Sequence, residues 1–114
     1  MPAARPARLT RRAEFLCAAR EGRKAAQPGL VLQARRRGDA DTRVGFTATK
    51  KIGNAVVRNR AKRRLREVAR LGLAAQPAPG WDLVLIARDE TGRRAFAELR
   101  AAFEAALAKT GVRA

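Results

Sequence analysis

Histidine is absent from this chain of 114 residues, tyrosine is absent too, and cysteine occurs once, as Cys17. Without histidine, the usual general base and the commonest zinc ligand are both missing. A single cysteine cannot close an intramolecular disulfide and offers no metal-site spacing, which fits a reducing, cytoplasmic setting. Acids are scarce as well, ten against 26 Lys and Arg, for a formal charge of +16. They are scattered: Asp39 and Asp41 fall in a polar loop, and Asp89 and Glu90 at a turn before a helix. Those positions suit loop solubility and helix N-terminal charge better than acid–base chemistry. No catalytic side chain and no metal site are expected in the protein itself. Long apolar runs are also lacking, since nothing approaches the roughly 18 residues of a spanning helix, so no membrane partner is expected. The opening MPAARPARLTRR has no apolar signal-peptide core. Residues 1–8 are read as a flexible basic arm, residues 9–110 as one domain and residues 111–114 as a tail.

What is present is a hydrophobic content of 46% beside 32% charged residues, with pI about 11.9. That combination describes a folded basic domain, and its first partner to consider is nucleic acid. A chain of this length can bury roughly two-thirds of its unfolded surface, enough for one modest core.

The most informative stretch is RVGFTATKKIGNAVVRNRAKRRLREVAR, from Arg43 to Arg70. It starts as an alternating strand, with Val44, Phe46 and Ala48 on one side and Gly45, Thr47 and Thr49 on the other. Lys50-Lys51-Ile52-Gly53-Asn54 marks a turn. From Val57 a helix is expected, with Val57, Ala61, Leu65, Val68 and Ala69 as its buried stripe. Arg58, Asn59, Lys62, Arg63, Arg66 and Arg70 share the opposite face, and Arg60 lies beside Glu67. Such a density of like charge costs several tenths of a kcal/mol per i,i+4 pair. A mixed-sign run would be an ordinary solvated face, but this bias favours a polyanion, and arginine's fork suits phosphate oxygens.

Around that stretch, Thr10 is a candidate N-cap for a helix to Arg20, with Leu9, Ala13, Leu16 and Cys17 inward and Phe15 off the stripe. Residues 23–29 read as a turn-rich connection and LVLQA as a strand. RRRGDADT at 35–42 reads as a hairpin loop to the strand at Arg43, its arginines solvated. LGLAAQPAPG at 71–80 reads as a loop, Trp81 as a core lid or loop anchor, and DLVLIAR as a strand covered on both sides. Phe96, Leu99, Phe103, Ala106 and Leu107 define a closing helix. The expected fold class is α+β, a small single-domain sandwich in the order α-β-β-α-β-α, with room for an extra short strand.

The run KKIGNAVVRNRAKRRLRE resembles the signature of the bacterial ribonuclease P protein family. Arg11 to Phe15, Gly22 and DLVLIAR match the same family in order, so the resemblance covers almost the whole chain. It implies an uncommon left-handed βαβ crossover. It also implies a subunit that joins a catalytic RNA, which holds Mg2+ and performs the hydrolysis, in removing the 5′ leader of precursor tRNA. Lys50, Lys51, Asn54, Arg58, Asn59, Arg60, Lys62, Arg63, Arg66 and Arg70 would then meet the catalytic RNA and nearby phosphates. Phe15, Val31, Gln33, Thr47 and Thr49 would line the leader cleft. Ala19 and Gln33 stand where the family places aromatics, a departure that weakens base stacking there. The alternatives in other classes are a basic ribosomal protein, a self-sufficient metal-dependent nuclease, and a DNA-binding module, which would lack an evident dimerising element.

Overall fold

In the computed structural model, which describes residues 7–38 and 41–113, Val44 and Phe46 of strand β4 (Arg43–Thr47) face the main core. The outer part of the expected arm, Asp39 and the last tail residue lie outside the described residues. β4 has an uneven pair of neighbours. On one side a two-residue strand β1 (Ala7–Arg8) pairs with it in parallel, and on the other β5 (Trp81–Ala87) does so along its whole length. β3 (Leu30–Arg36) runs antiparallel to β5, and β2 (Arg23–Gln27) closes the sheet antiparallel to β3. The strand order is β1-β4-β5-β3-β2.

Two expectations change here. β3 and β4 do not form a hairpin, because β5 lies between them and takes the hydrogen bonds of both. Residues 23–27, read as connection, form a strand that turns into β3 through Pro28-Gly29. The glycine takes φ +91°, the left-handed geometry that suits the residue after proline in a type II turn. Alternation in RKAAQ is too faint to signal a strand, and its pairing with β3 supplies what propensity lacks.

One face of the sheet carries Leu30, Leu32, Ala34, Val44, Leu83, Leu85 and Ala87 into the main core. Against it pack helix α2 (Ala55–Ala75) and helix α3 (Phe96–Lys109). α3 buries Leu99, Phe103, Ala106 and Leu107 as its spacing expects, with Ala102 beside them, while Phe96, expected to begin the stripe, is only half-buried against the core. α2 buries Ala61, Leu65, Val68 and Ala69, but Val57, expected to begin the stripe, is 42% exposed because it lies beyond the sheet's cover. The helix also runs five residues past the expected stop. Leu71–Ala75 are helical rather than loop, and Gly72 and Leu73 extend the buried stripe. Gly72 does not break the helix there; it admits a neighbour, since a Cβ at this position would come 2.9 Å from the Phe103 ring.

The other face is covered in part by helix α1 (Arg12–Glu21). Its N-cap is Arg11 rather than Thr10, and the Glu14 carboxylate accepts the backbone N–H of both Arg11 (3.0 Å) and Thr10 (3.3 Å). The expected inward stripe is rotated. Ala13 and Leu16 are exposed, Cys17 is half-buried, and Ala18 packs with Leu9, Val84, Phe15 and Ile86 in a second small core. Phe15 turns inward because Gly45 leaves room: a Cβ there would stand 2.5 Å from the ring. The far end is tied down as well, with Val112 against the main core and Arg113 donating to the Gly72 carbonyl at 3.1 Å.

The position of the α2 stripe gives a stability contrast. Leu65→Ala should cost about 2–5 kcal/mol of unfolding free energy, as a fully buried leucine removed from a packed core. Val57→Ala should stay within about 0.5 kcal/mol. Urea denaturation of both variants measures the difference; equal losses would place Val57 in the core after all.

Candidate nucleic-acid interface

Helix α2 begins where Asn54 caps it, its side-chain oxygen accepting the Val57 N–H at 3.0 Å. Part of Asn54 is therefore committed to the helix, leaving its amide NH2 for a partner. Just before it, Lys50 and Lys51 stand exposed on a 3-10 turn, Lys50–Ile52. Along the helix, Asn59, Arg60, Arg63, Arg66 and Arg70 are exposed and Arg58 and Lys62 half-buried, so the stretch expected to present cations does so. Two of them are modulated by neighbours. The Arg66 guanidinium lies 5.8 Å from the centre of the Phe46 ring, within cation–π reach, and Arg70 is paired with Glu67. Arg64 is different: its Nη1 and Nη2 donate to the carbonyls of Thr91 (2.7 Å) and Arg94 (2.6 Å), so it fastens α2 to the chain beyond β5.

The cleft residues belong to the opposite face of the sheet, and strand register shows how they meet. Val31, Ile86 and Thr47 are cross-strand partners in one row, and Gln33, Val84 and Gly45 in the next, with Phe15 seated on Gly45. Phe15, Gln33 and Thr47 are half-buried and Thr49 is exposed beyond the strand, whereas Val31 is only 3% exposed and offers a ligand little surface. Ile86, missing from the expected set, stands half-buried between Val31 and Thr47. Its parity with Val84 is legible in DLVLIAR; the register that puts it in the cleft is not. Thr47, Thr49, Lys50 and Lys51 connect the two surfaces.

A third row, Arg35, Asp82 and Arg43, anchors this face. Arg43 forks onto Asp82, Nε to Oδ1 at 2.8 Å and Nη2 to Oδ2 at 2.7 Å, while its Nη1 pairs with Glu14 of α1. Arg37 adds Nη1 to Asp82 Oδ1 at 2.8 Å, and Arg35 lies 3.7 Å from the same carboxylate. Arg35 and Arg37 are thus paired, not simply solvated as their place in the sequence suggests. Burial pushes the Asp82 pKa up, but the hydrogen bonds and charges of Arg43 and Arg37 outweigh it and hold the carboxyl below its usual range. Glu14 is likewise lowered, chiefly by the Arg11 backbone N–H, against the opposing effect of desolvation. The Cys17 thiol donates to Glu21, which raises its pKa and disfavours a reactive thiolate. Among the described residues, no three His, Cys, Asp or Glu side chains form a metal-holding group.

Comparison with known proteins places these surfaces in context. The family model described as Ribonuclease P matches residues 3–111. The "Ribonuclease P protein component" of Gluconacetobacter diazotrophicus is 57% identical over 107 residues, covering 93% of this chain and 92% of its own length. That of Paramagnetospirillum magneticum is 46% identical, covering 96% and 86%. Among solved structures, the RNase P protein from Thermotoga maritima superposes with TM-score 0.74 at 31% identity, over 86% of this chain and 92% of that one. The Staphylococcus aureus RNase P protein gives 0.76 at 25% identity, over 92% and 95%.

The depressed Asp82 pKa has a signed consequence. Its stabilising effect is complete above the unfolded value of about 3.9 and is lost as pH falls through the lower folded value. At neutral pH, Asp82→Asn should cost about 1–3 kcal/mol, because it removes the shared counter-charge and charge-assisted hydrogen bonds of the partly exposed Arg37 and Arg43. Melting temperatures followed from neutral pH into the acid range should converge for the two proteins. A gap that stays constant would show that Asp82 does not titrate with folding.

Proposed function

The chain belongs to the bacterial ribonuclease P protein family, and from that premise we propose that its two faces serve different stretches of RNA. As the protein component of this ribonucleoprotein endoribonuclease, it partners with the ribonuclease P RNA and acts on precursor tRNA, whose 5′ leader is removed. Catalysis is RNA-based. In our reading the RNA also holds the Mg2+ that hydrolysis requires, and the complex works in the cytoplasm. No helix among the described residues is long and apolar enough to cross a membrane.

The outward face of α2, with Lys50 and Lys51 at its head, is assigned to the catalytic RNA. The observation that carries this is a helix with no acid in its first turn and a run of exposed cations opposite a buried stripe, an arrangement that self-repulsion disfavours unless a polyanion lies against it. The cleft between α1 and the sheet is assigned to the leader: Phe15 supplies a half-buried ring for a base, Ile86 an apolar wall, and Gln33, Thr47 and Thr49 hydrogen-bonding groups. Val31 stands beside Ile86 as its cross-strand partner. A ribosomal or self-sufficient nuclease reading has no observation in its favour.

Removing Arg58, Lys62, Arg63 or Arg66 should each lower the magnitude of the salt slope for catalytic-RNA binding by roughly 0.7–0.9 for every phosphate that is no longer neutralised. Should such changes unfold the domain and leave the slope untouched, the cationic face is structural. Phe15→Ala should weaken precursor tRNA binding to the assembled complex by about 1 kcal/mol, the low end for stacking, and spare mature tRNA. Equal losses for the two would assign the ring to packing alone.

A further inference from the structure

We propose that Arg88 and Arg93, on the turn that follows β5, form with Arg60 a second wall of the RNA-binding surface, taking the phosphodiester backbone of the catalytic RNA. This deepens the assignment of α2 to that RNA and rests on it. Between the first turns of α2 and the turn after β5 lies a depression of about 310 Å3. Its lining includes Ile52, Val57 and Gly92, with Arg60, Arg88 and Arg93 as the cations and Asp89 as the acid.

Three features converge on an anionic polymer. First, all three arginines are exposed, and among the described residues none of their side chains has a hydrogen-bond or salt-bridge partner. Arginines left unpaired around one concavity repel one another, and a phosphate is the group that relieves them. Second, Val57, 42% exposed, and Ile52 line the same depression, so apolar surface lies beside the charge, as sugar and base edges require.

Third, the turn is held rigidly from behind. Buried Thr91 donates its hydroxyl to the Gly29 carbonyl at 2.6 Å and accepts the Arg88 N–H at 2.7 Å, and Glu90 accepts the Gly29 N–H at 2.9 Å. Arg64 reaches from α2 to the carbonyls of Thr91 and Arg94. The bonds on the inner side are satisfied while the guanidinium groups outside are not. Binding would therefore require little ordering of backbone, which favours affinity. The depression continues the cationic face at the N-terminal end of α2, whereas the leader cleft lies across the sheet, and this selects the catalytic RNA over the substrate.

Titrating the full chain with the catalytic RNA over a range of monovalent salt tests the proposal. R88A/R93A should lower the magnitude of the salt slope by roughly 1.4–1.8, the effect of two phosphates, with the melting temperature unchanged. R88K/R93K should keep the slope, because the interaction is ionic. R63A/R66A is the comparison pair. If it lowers the slope and R88A/R93A does not, the second wall is refuted and the role of α2 stands; if neither lowers it, both fail. A loss confined to precursor tRNA binding by the assembled complex also overturns the proposal, since it would give the two arginines to the substrate.

Discussion

Asp82 is the carboxylate on which the arrangement of one whole face depends. Its side chain is 1% exposed, and an ionised carboxyl so placed is tolerated only with excellent compensation. Compensation comes from Arg37 just beyond β3, from Arg43 on β4 and, more distantly, from Arg35. Arg43 then carries the connection to Glu14, whose other task is to cap α1. One buried charge thus fixes three neighbouring strands and the entry of a helix. The ring of Phe15, one residue beyond Glu14, takes its place on Gly45 as a result. In a chain carrying +16, each acid must offset several cations, and this one does so where the offset also sets geometry.

The two candidate surfaces differ in how they are made. The α2 face needs only a helix and a sequence, since every cation on it comes from one continuous segment. The cleft needs the sheet: Phe15, Val31, Thr47 and Ile86 come from four elements and meet only because β4 and β5 are parallel neighbours with β3 on the far side. This difference explains what is legible in the chain alone. The alternation of Val44 and Phe46 against Gly45 and Thr47, the α3 stripe and the cationic face of α2 follow from local periodicity, and each is found as expected.

Other features escape because they depend on partners distant in the chain. A glycine at 72 looks like a helix end until Phe103 is seen to occupy the space it leaves. Arg35 and Arg37 look like loop solubility until Asp82, 45 positions beyond Arg37, is placed opposite them. Phe15 looks off-stripe because the inward side of α1 is set by where a neighbouring strand lacks a side chain, which no helical wheel shows. Polarity alone suggests a hairpin between β3 and β4, yet the missing strand arrives from beyond α2.

The cap at Asn54 has an electrostatic corollary. Aligned peptide dipoles leave the start of a helix positive, by about half a charge, and acids there are stabilising. α2 has none in its first turn, and Arg58 and Arg60 follow directly. Its side chains therefore oppose its own backbone polarity at that end, whereas at the other end the Arg113 guanidinium, donating to the Gly72 carbonyl, supplies the cation that the helix's own last turn lacks. The conflict is tolerated because Ala61 to Leu73 is clamped between sheet and α3, leaving the discord to the end that is least covered. A phosphate arriving at that end meets backbone and side-chain potential of the same sign. It relieves the one stretch of the helix that folding alone leaves in tension, so occupancy and helix stability are thermodynamically linked.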